Sequence, residues 1–221
     1  MALELNDAPK AWLDEDALAT WSEIPVAIIG DELNRTQIMR AAIKPLAPGS
    51  GFAGQALTAR CMVGDNSALH YALAGAWPGA VIVADAGGFE DTAVWGGLMH
   101  TGAKQRGVAA VVIDGAVRDV AELRDSGLPV YVRAAVPAGP HKGFGGAVNA
   151  TIQCGGVPVS PGDLVIGDDD GVIVIRPDQI DGLMARCRAR MDKEAAIIEG
   201  LKAGKTTVEL TGLPPADEIG K

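Results

Sequence analysis

The residues of this chain best suited to chemistry lie between positions 86 and 119. They read Ala86-Gly87-Gly88, then Trp95-Gly96-Gly97-Leu98-Met99, then Val111-Val112-Ile113-Asp114-Gly115-Ala116-Val117-Arg118-Asp119. A glycine-led helix start at Gly96, Gly97, Leu98 and Met99 offers backbone N–H groups to a carboxylate. Arg118 offers a planar fork for a carboxylate or enolate oxygen. Asp119 offers a hard oxygen to a divalent cation such as Mg²⁺. Together these are the parts needed to hold a 2-oxo acid. On residue type alone, Asp119 has a second reading, as a simple cap of the helix that starts there.

Other chemistries find less support. Gly87-Gly88 follows a strand, as a phosphate loop would, but neither GxGxxG nor GK[ST] is present. His70, His100 and His141 show no ligand spacing and read as helix-surface or loop residues. No GxSxG elbow supports a serine nucleophile. Asp168-Asp169-Asp170-Gly171 reads as a hairpin turn, since the ligand spacing of a calcium loop is missing.

The elements that must position these residues alternate between strands and helices. An apolar-sided helix is predicted over 10–22, and a second, opened by Pro25, runs to about Arg35. Strands are predicted over 55–63, 80–84, 108–113 and 130–132. Helices are predicted over 66–76, with Asn66 as cap, over 96–106, closed by Gly107, and from 119 to about 126, closed by Gly127. The wholly apolar run Ala80–Ala84 marks a strand buried on both faces. Strand 108–113 is of parallel type, and open α/β sheets bind ligands at the C-terminal ends of such strands. After residue 135 a glycine- and proline-rich loop leads to strands near 148–152, 164–166 and 172–175. A long charged helix is predicted from 178 to 203.

The 221 residues are 48% hydrophobic, enough for one well-buried core. We expect a single domain over 1–221, with its core at about 24–176 and a helical extension at 177–221. Net charge is −9, from 19 basic and 28 acidic side chains, and only 4% of residues are aromatic. That balance disfavours nucleic acid as a partner. No apolar run is long enough to span a membrane, and the N-terminus lacks the pattern of a signal peptide. Cys61, Cys154 and Cys187 are widely spaced without CxxC, which fits a reducing cytoplasm.

Gly64-Asp65-Asn66, Asp85-Ala86-Gly87-Gly88, Trp95-Gly96, Gly107-Val108-Ala109, Asp114-Gly115-Ala116-Val117-Arg118-Asp119 and Pro161-Gly162-Asp163 stand in the order and spacing of one family. Over residues 24–176 the chain resembles the RraA-like family. That family includes 4-hydroxy-4-methyl-2-oxoglutarate/4-carboxy-4-hydroxy-2-oxoadipate aldolases and the regulator of ribonuclease activity A. The resemblance implies a compact αββα-type sandwich, related to swivelling phosphohistidine domains, with a long C-terminal helix. It implies a homotrimer or homohexamer with sites at subunit interfaces.

By that resemblance, N–H groups of Gly96 to Met99 and the Arg118 side chain bind the pyruvate part. Asp119 is then the direct protein ligand of Mg²⁺ or Mn²⁺. Asp31 and Glu194 match acids donated by a neighbouring subunit, and Glu122 matches an acid three residues after the metal ligand.

The implied activity is that of a metal-dependent lyase on 2-oxo acids, an aldolase, an oxaloacetate decarboxylase or both. The alternative is a non-catalytic protein-binding regulator. Two departures stand out. Gly97 occupies the place where aldolases carry an acid, and Asp31 stands where they often carry Glu. The missing acid predicts faster decarboxylation than aldol cleavage, and a gain in aldol cleavage from Gly97→Asp. Gly96–His100 also loosely resembles a phosphotransfer histidine loop, although His100 lies too near Gly107 for that motif.

Overall fold

The computed structural model describes residues 2–220. In chain order the elements are β1 (Leu3–Leu5), α1 (Glu15–Ser22), α2 (Val26–Glu32), β2 (Lys44–Pro45), β3 (Phe52–Cys61), α3 (Ser67–Ala74), β4 (Ala80–Asp85), β5 (Ala93–Trp95) and α4 (Gly97–Gln105). There follow β6 (Ala110–Val117), α5 (Val120–Asp125), β7 (Val130–Ala135), β8 (Gly146–Val148), β9 (Ile152–Cys154), β10 (Val157–Val159), β11 (Leu164–Asp168), β12 (Gly171–Ile175), α6 (Leu183–Lys202) and α7 (Thr207–Thr211).

Strand periodicity builds the layers. Strands β3, β4, β6 and β7 run parallel side by side. Ala80, Ile82 and Ala84 of β4, with Val111 and Ile113 of β6, face one way, onto α3, α4 and α5. Val81, Val83, Ala110 and Val112 face the other way, onto the β9–β10 hairpin and onto Val165, Val172 and Val174 of β11–β12. The alternate residues Leu164, Ile166, Ile173 and Ile175 pack under α2 and α6. Strand β11 pairs with β3, so β11–β12 belong to the same sheet, which folds back over itself; the order is helix, sheet layer, sheet layer, helix, with three apolar seams between four layers. Because the inner strands are covered on both faces, they read as unbroken apolar runs. Each large apolar side chain buried in a seam contributes roughly 1.5–3 kcal/mol.

Several boundaries differ from the sequence expectation. The first helix starts at Glu15, where the Asp14 carboxylate accepts the Ala17 N–H at 2.9 Å. The second stops at Glu32, and Asn34, Arg35 and Gln37 then take positive φ. Strand β6 continues to Val117 through a register shift between Ile113 and Ala116, and so carries Arg118 further than expected. Strand β5 was not anticipated. The strand expected at 148–152 is divided into β8 and β9, with Asn149 between them at φ 53°. The last long helix begins only at Leu183, after a short turn at Pro177–Gln179 and a left-handed Gly182.

All three cysteines are free and buried. Among the described residues no helix is long and apolar enough to cross a membrane.

Candidate active site

The site forms where β5 and β6 end together. Trp95 pairs with Val117, and the Arg118 N–H donates to the Trp95 carbonyl at 3.0 Å. This pairing sets the start of α4 beside the start of α5. Gly96 is extended, and the helix proper begins at Gly97.

Both glycines let neighbouring side chains close on the backbone. A Cβ at Gly96 would lie 2.7 Å from Asp119 Oδ2 and 3.0 Å from Arg118 Cγ. A Cβ at Gly97 would lie 2.7 Å from the Glu122 carboxyl carbon. Two carboxylates thus press against the backbone that opens α4.

Asp119 does not cap its own helix. It sits in the left-handed region at φ 60°, ψ 39°, with no capping hydrogen bond to α5. Its Oδ2 accepts the Gly97 N–H at 2.9 Å instead. The Gly97 N–H is therefore already taken, and of the expected cradle the N–H groups of Leu98 and Met99 are left without an intrahelical acceptor. Arg118 Nε lies 3.7 Å from Asp119 Oδ2, and both side chains are about half exposed. Gly96, Leu98, Met99, Arg118 and Asp119 line one small pocket of about 120 Å³, together with Asn66, His70 and Lys142.

Among the described residues no group of three His, Cys, Asp or Glu side chains is arranged to hold a metal. The donor set is Asp119, with the Glu122 carboxylate one helical turn away. Carboxylate oxygens supplemented by water and substrate oxygens suit a hard, strongly hydrated ion such as Mg²⁺, so these residues fit that group.

Asp31 and Glu194 do not line this pocket. Both sit on Arg190, in the outer layer formed by α2 and α6. Arg190 pairs with Asp31, reaches Glu32 at 3.6 Å, and lies 3.4 Å from Glu194. Asp31 also contacts Arg35 at 3.6 Å. That layer lies across both sheet layers from α4 and α5.

His100 is 1% exposed and bonded to Ser126 Oγ, a placement that leaves it no access as a phosphate carrier. Burial and the nearby Lys104 push its pKa down.

The pocket includes residues that residue types alone did not single out. Asn66 begins α3 without a capping bond, because its amide turns to Val94 and Met99. His70 follows one turn later, and Lys142 arrives from the loop before β8. The i, i+4 spacing of Asn66 and His70 was the available signal; the approach of Lys142 is a tertiary fact. Asp114 was also without an assigned role. Its carboxylate pairs with Arg133 and accepts the Gly155 N–H at 2.7 Å, bracing the middles of β6 and β7 against the β9–β10 turn.

Residues 26–174 match the RraA-like family (Aldolase/RraA). A relative from Halalkalibacterium halodurans, provisionally named a 4-hydroxy-4-methyl-2-oxoglutarate aldolase, is 34% identical over 198 residues, which is 88% of this chain and 94% of the relative. The solved structure of the RNA-processing inhibitor RraA from Thermus thermophilis superposes with a TM-score of 0.63 at 30% identity, over 68% of this chain and 92% of that one. A Pseudomonas syringae structure shares the fold, with a TM-score of 0.78 at 24% identity, over 92% of this chain and all (100%) of that one. On the extent of the family match and the near-full-length relative, the chain belongs to the RraA-like family.

Proposed function

We propose that this protein is a divalent-metal-dependent carbon–carbon lyase acting on 2-oxo acids. It cleaves aldols of the 4-hydroxy-4-methyl-2-oxoglutarate kind, decarboxylates oxaloacetate, or does both. The observation that carries this reading is the convergence of the α4 N-terminus, Arg118 and Asp119 on one pocket, with Glu122 beside the backbone that opens α4. The relative's name supports the same class.

Mg²⁺ or Mn²⁺ held by Asp119 would supply Lewis-acid polarisation of the 2-oxo group. The substrate carboxylate faces the Leu98 and Met99 N–H groups at the positive end of α4. The Arg118 guanidinium donates to the oxygen that gains charge as the bond between C3 and C4 breaks. In the aldol reaction the C4 hydroxyl loses its proton, C4 leaves as a carbonyl, and the electron pair enters the enolate of pyruvate. Protonation at C3 completes pyruvate. Glu122, beside Gly97, takes the hydroxyl proton in this reading. In decarboxylation CO₂ leaves and no hydroxyl proton need be removed.

Asp31 and Glu194, remote from their own pocket, act in the pocket of a neighbouring copy within a homotrimer or homohexamer. Exposed Leu98, at 91%, and Phe144, at 48%, fit such an assembly.

The test is pyruvate release from oxaloacetate and from 4-hydroxy-4-methyl-2-oxoglutarate, with and without EDTA. Release from at least one substrate, abolished by EDTA and restored by Mg²⁺, is expected. No release from either leaves the non-catalytic regulator as the better description.

A further inference from the structure

Arg118 carries the donors that the proposed chemistry needs, yet among the described residues no hydrogen bond fixes its guanidinium. The ion pair of its Nε with Asp119 Oδ2 is 3.7 Å long, beyond hydrogen-bond reach. The side chain is 43% exposed, and a long stem left this free would sample several rotamers. What holds it is shape. A Cβ at Gly96 would lie 3.0 Å from Arg118 Cγ and 3.2 Å from Nε. A Cβ at Gly139 would lie 2.6 Å from Nη1 and 3.5 Å from Cζ. Gly96 thus lies against the stem and Gly139 against the outer edge of the guanidinium. The side chain runs through a slot between two bare backbones.

Gly139 has no other evident reason to be glycine. It is exposed, and its φ lies outside the left-handed region that favours glycine. Apart from the adjoining residues, a Cβ there would meet nothing but Arg118 within 4 Å. The loop that carries it is poorly placed to yield. The Val136 N–H donates to the Val117 carbonyl at 2.9 Å, the Ala93 N–H donates to the Ala138 carbonyl at 2.8 Å, and the His141 N–H donates to the Gly64 carbonyl at 2.8 Å. Pro137 and Pro140 fix φ on either side. The guanidinium, by contrast, has room to move. Arg118 lines both the small pocket of about 120 Å³ and an open recess of about 240 Å³ beside Ala135, Val136 and Pro137. A methyl group at position 139 therefore turns the guanidinium out of the first and toward the second.

We propose that Gly139 is a positioning residue, which with Gly96 forms the slot that pre-orients the Arg118 guanidinium toward a bound 2-oxo acid. Pre-orientation removes the entropy cost of ordering a long side chain on binding, and it sets the donors where charge gathers. The identity of the ligand rests on the lyase reading above; the placement of the guanidinium does not.

The first arm of the test needs no ligand. By NMR on the isotopically labelled full chain, the Arg118 Nε–Hε resonance, identified by its loss in Arg118→Lys, is expected to shift in Gly139→Ala. The thermal midpoint is expected to stay within about 2 °C of the wild type, because only the end of a flexible side chain is displaced. An unmoved resonance overturns the slot, as does a large fall in the midpoint, which would mean that the loop and not the guanidinium gives way. The second arm is a double-mutant cycle read by calorimetry with Mg²⁺ and oxalate, a planar dianion shaped like the enolate of pyruvate. Gly139→Ala is expected to weaken oxalate binding about tenfold in the wild-type background and less than about twofold in the Arg118→Ala background. Equal weakening in both backgrounds overturns the proposal, since Gly139 would then act without Arg118, and so does undiminished binding in the wild-type background. A wild type that binds no oxalate counts against the lyase reading, while the resonance still decides whether the slot exists.

Discussion

Asp119 holds a conformation that costs a non-glycine residue roughly 1–2 kcal/mol, although Asp and Asn bear it best. In exchange its carboxylate leaves α5 and faces the start of α4, where it holds the Gly97 N–H. Asp119→Asn keeps the tolerance for that backbone and keeps an oxygen for the Gly97 N–H, but loses the charge. We expect an unchanged circular dichroism spectrum, no Mg²⁺ binding by calorimetry, and a loss of roughly 10²-fold or more in kcat. Mg²⁺ binding that survives would reduce Asp119 to a brace. The neighbouring carboxylate alters what Gly97 means. A side chain there meets the flexible end of Glu122, so Gly97→Asp would push the Glu122 carboxylate aside and set a like charge next to it. We therefore expect no gain in aldol cleavage from Gly97→Asp. Glu122→Gln should lower aldol cleavage by about 10²–10⁴-fold and spare decarboxylation, because only the former removes a proton. Equal losses in both reactions would assign Glu122 to binding.

Helix α4 is positioned from below by a buried histidine. Trp95 Nε1 only donates, so at 3.5 Å it assigns His100 Nδ1 as acceptor and leaves Nε2–H to donate to Ser126 Oγ. Ser126 Oγ in turn donates to the Leu123 carbonyl at 2.7 Å, linking α4 to α5. A second proton on the ring would set two donors face to face. Because the folded-state pKa lies below the ordinary 6.5, stability is complete above that value and is lost as pH falls below it, since the unfolded chain takes the proton first. Urea midpoints should drop between pH 7 and 5.5, and His100→Gln should flatten that slope; an unchanged slope would show that the ring titrates freely. At this scale much was legible. The apolar runs of β4 and β6 announce strands covered on both faces, and Gly107, at φ 68°, marks the end of the helix it follows. Strand β5 was not legible, because three residues carry no period and gain their place only by pairing with β6. Asn66 was misread for a related reason. It has the residue type and position of a cap, yet Val94 and Met99, nearly thirty residues or more along the chain, claim its amide.

Across the whole molecule the charges divide the proposed site into two sets. Asp119, Glu122 and Arg118 lie at one helical layer, while Asp31 and Glu194 lie with Arg190 at the other. Two sheet layers separate those helices, so one copy cannot bring both sets to one pocket without refolding. The resemblance to aldolases suggested this arrangement, and the placement of the acids in the outer layer is compatible with it. Nothing in their residue types could have said which layer they occupy. Within that part-buried cluster Glu194 is the most exposed acid, at 48%, and its exposed pair with Arg190 is worth little to stability, which leaves it room for a role outside the protomer. If neighbouring copies share each site, Asp119→Asn and Glu194→Gln subunits are each inactive alone but complementary. In a ring built head to tail, a site that joins the good Asp119 of one subunit to the good Glu194 of the other is whole. Co-expressed in equal amounts and randomly assembled, such subunits should recover about one quarter of wild-type turnover. The separately purified variants, mixed without exchange, should show none. Activity of the co-expressed pair no higher than the sum of the two variants would place Glu194 outside the shared site.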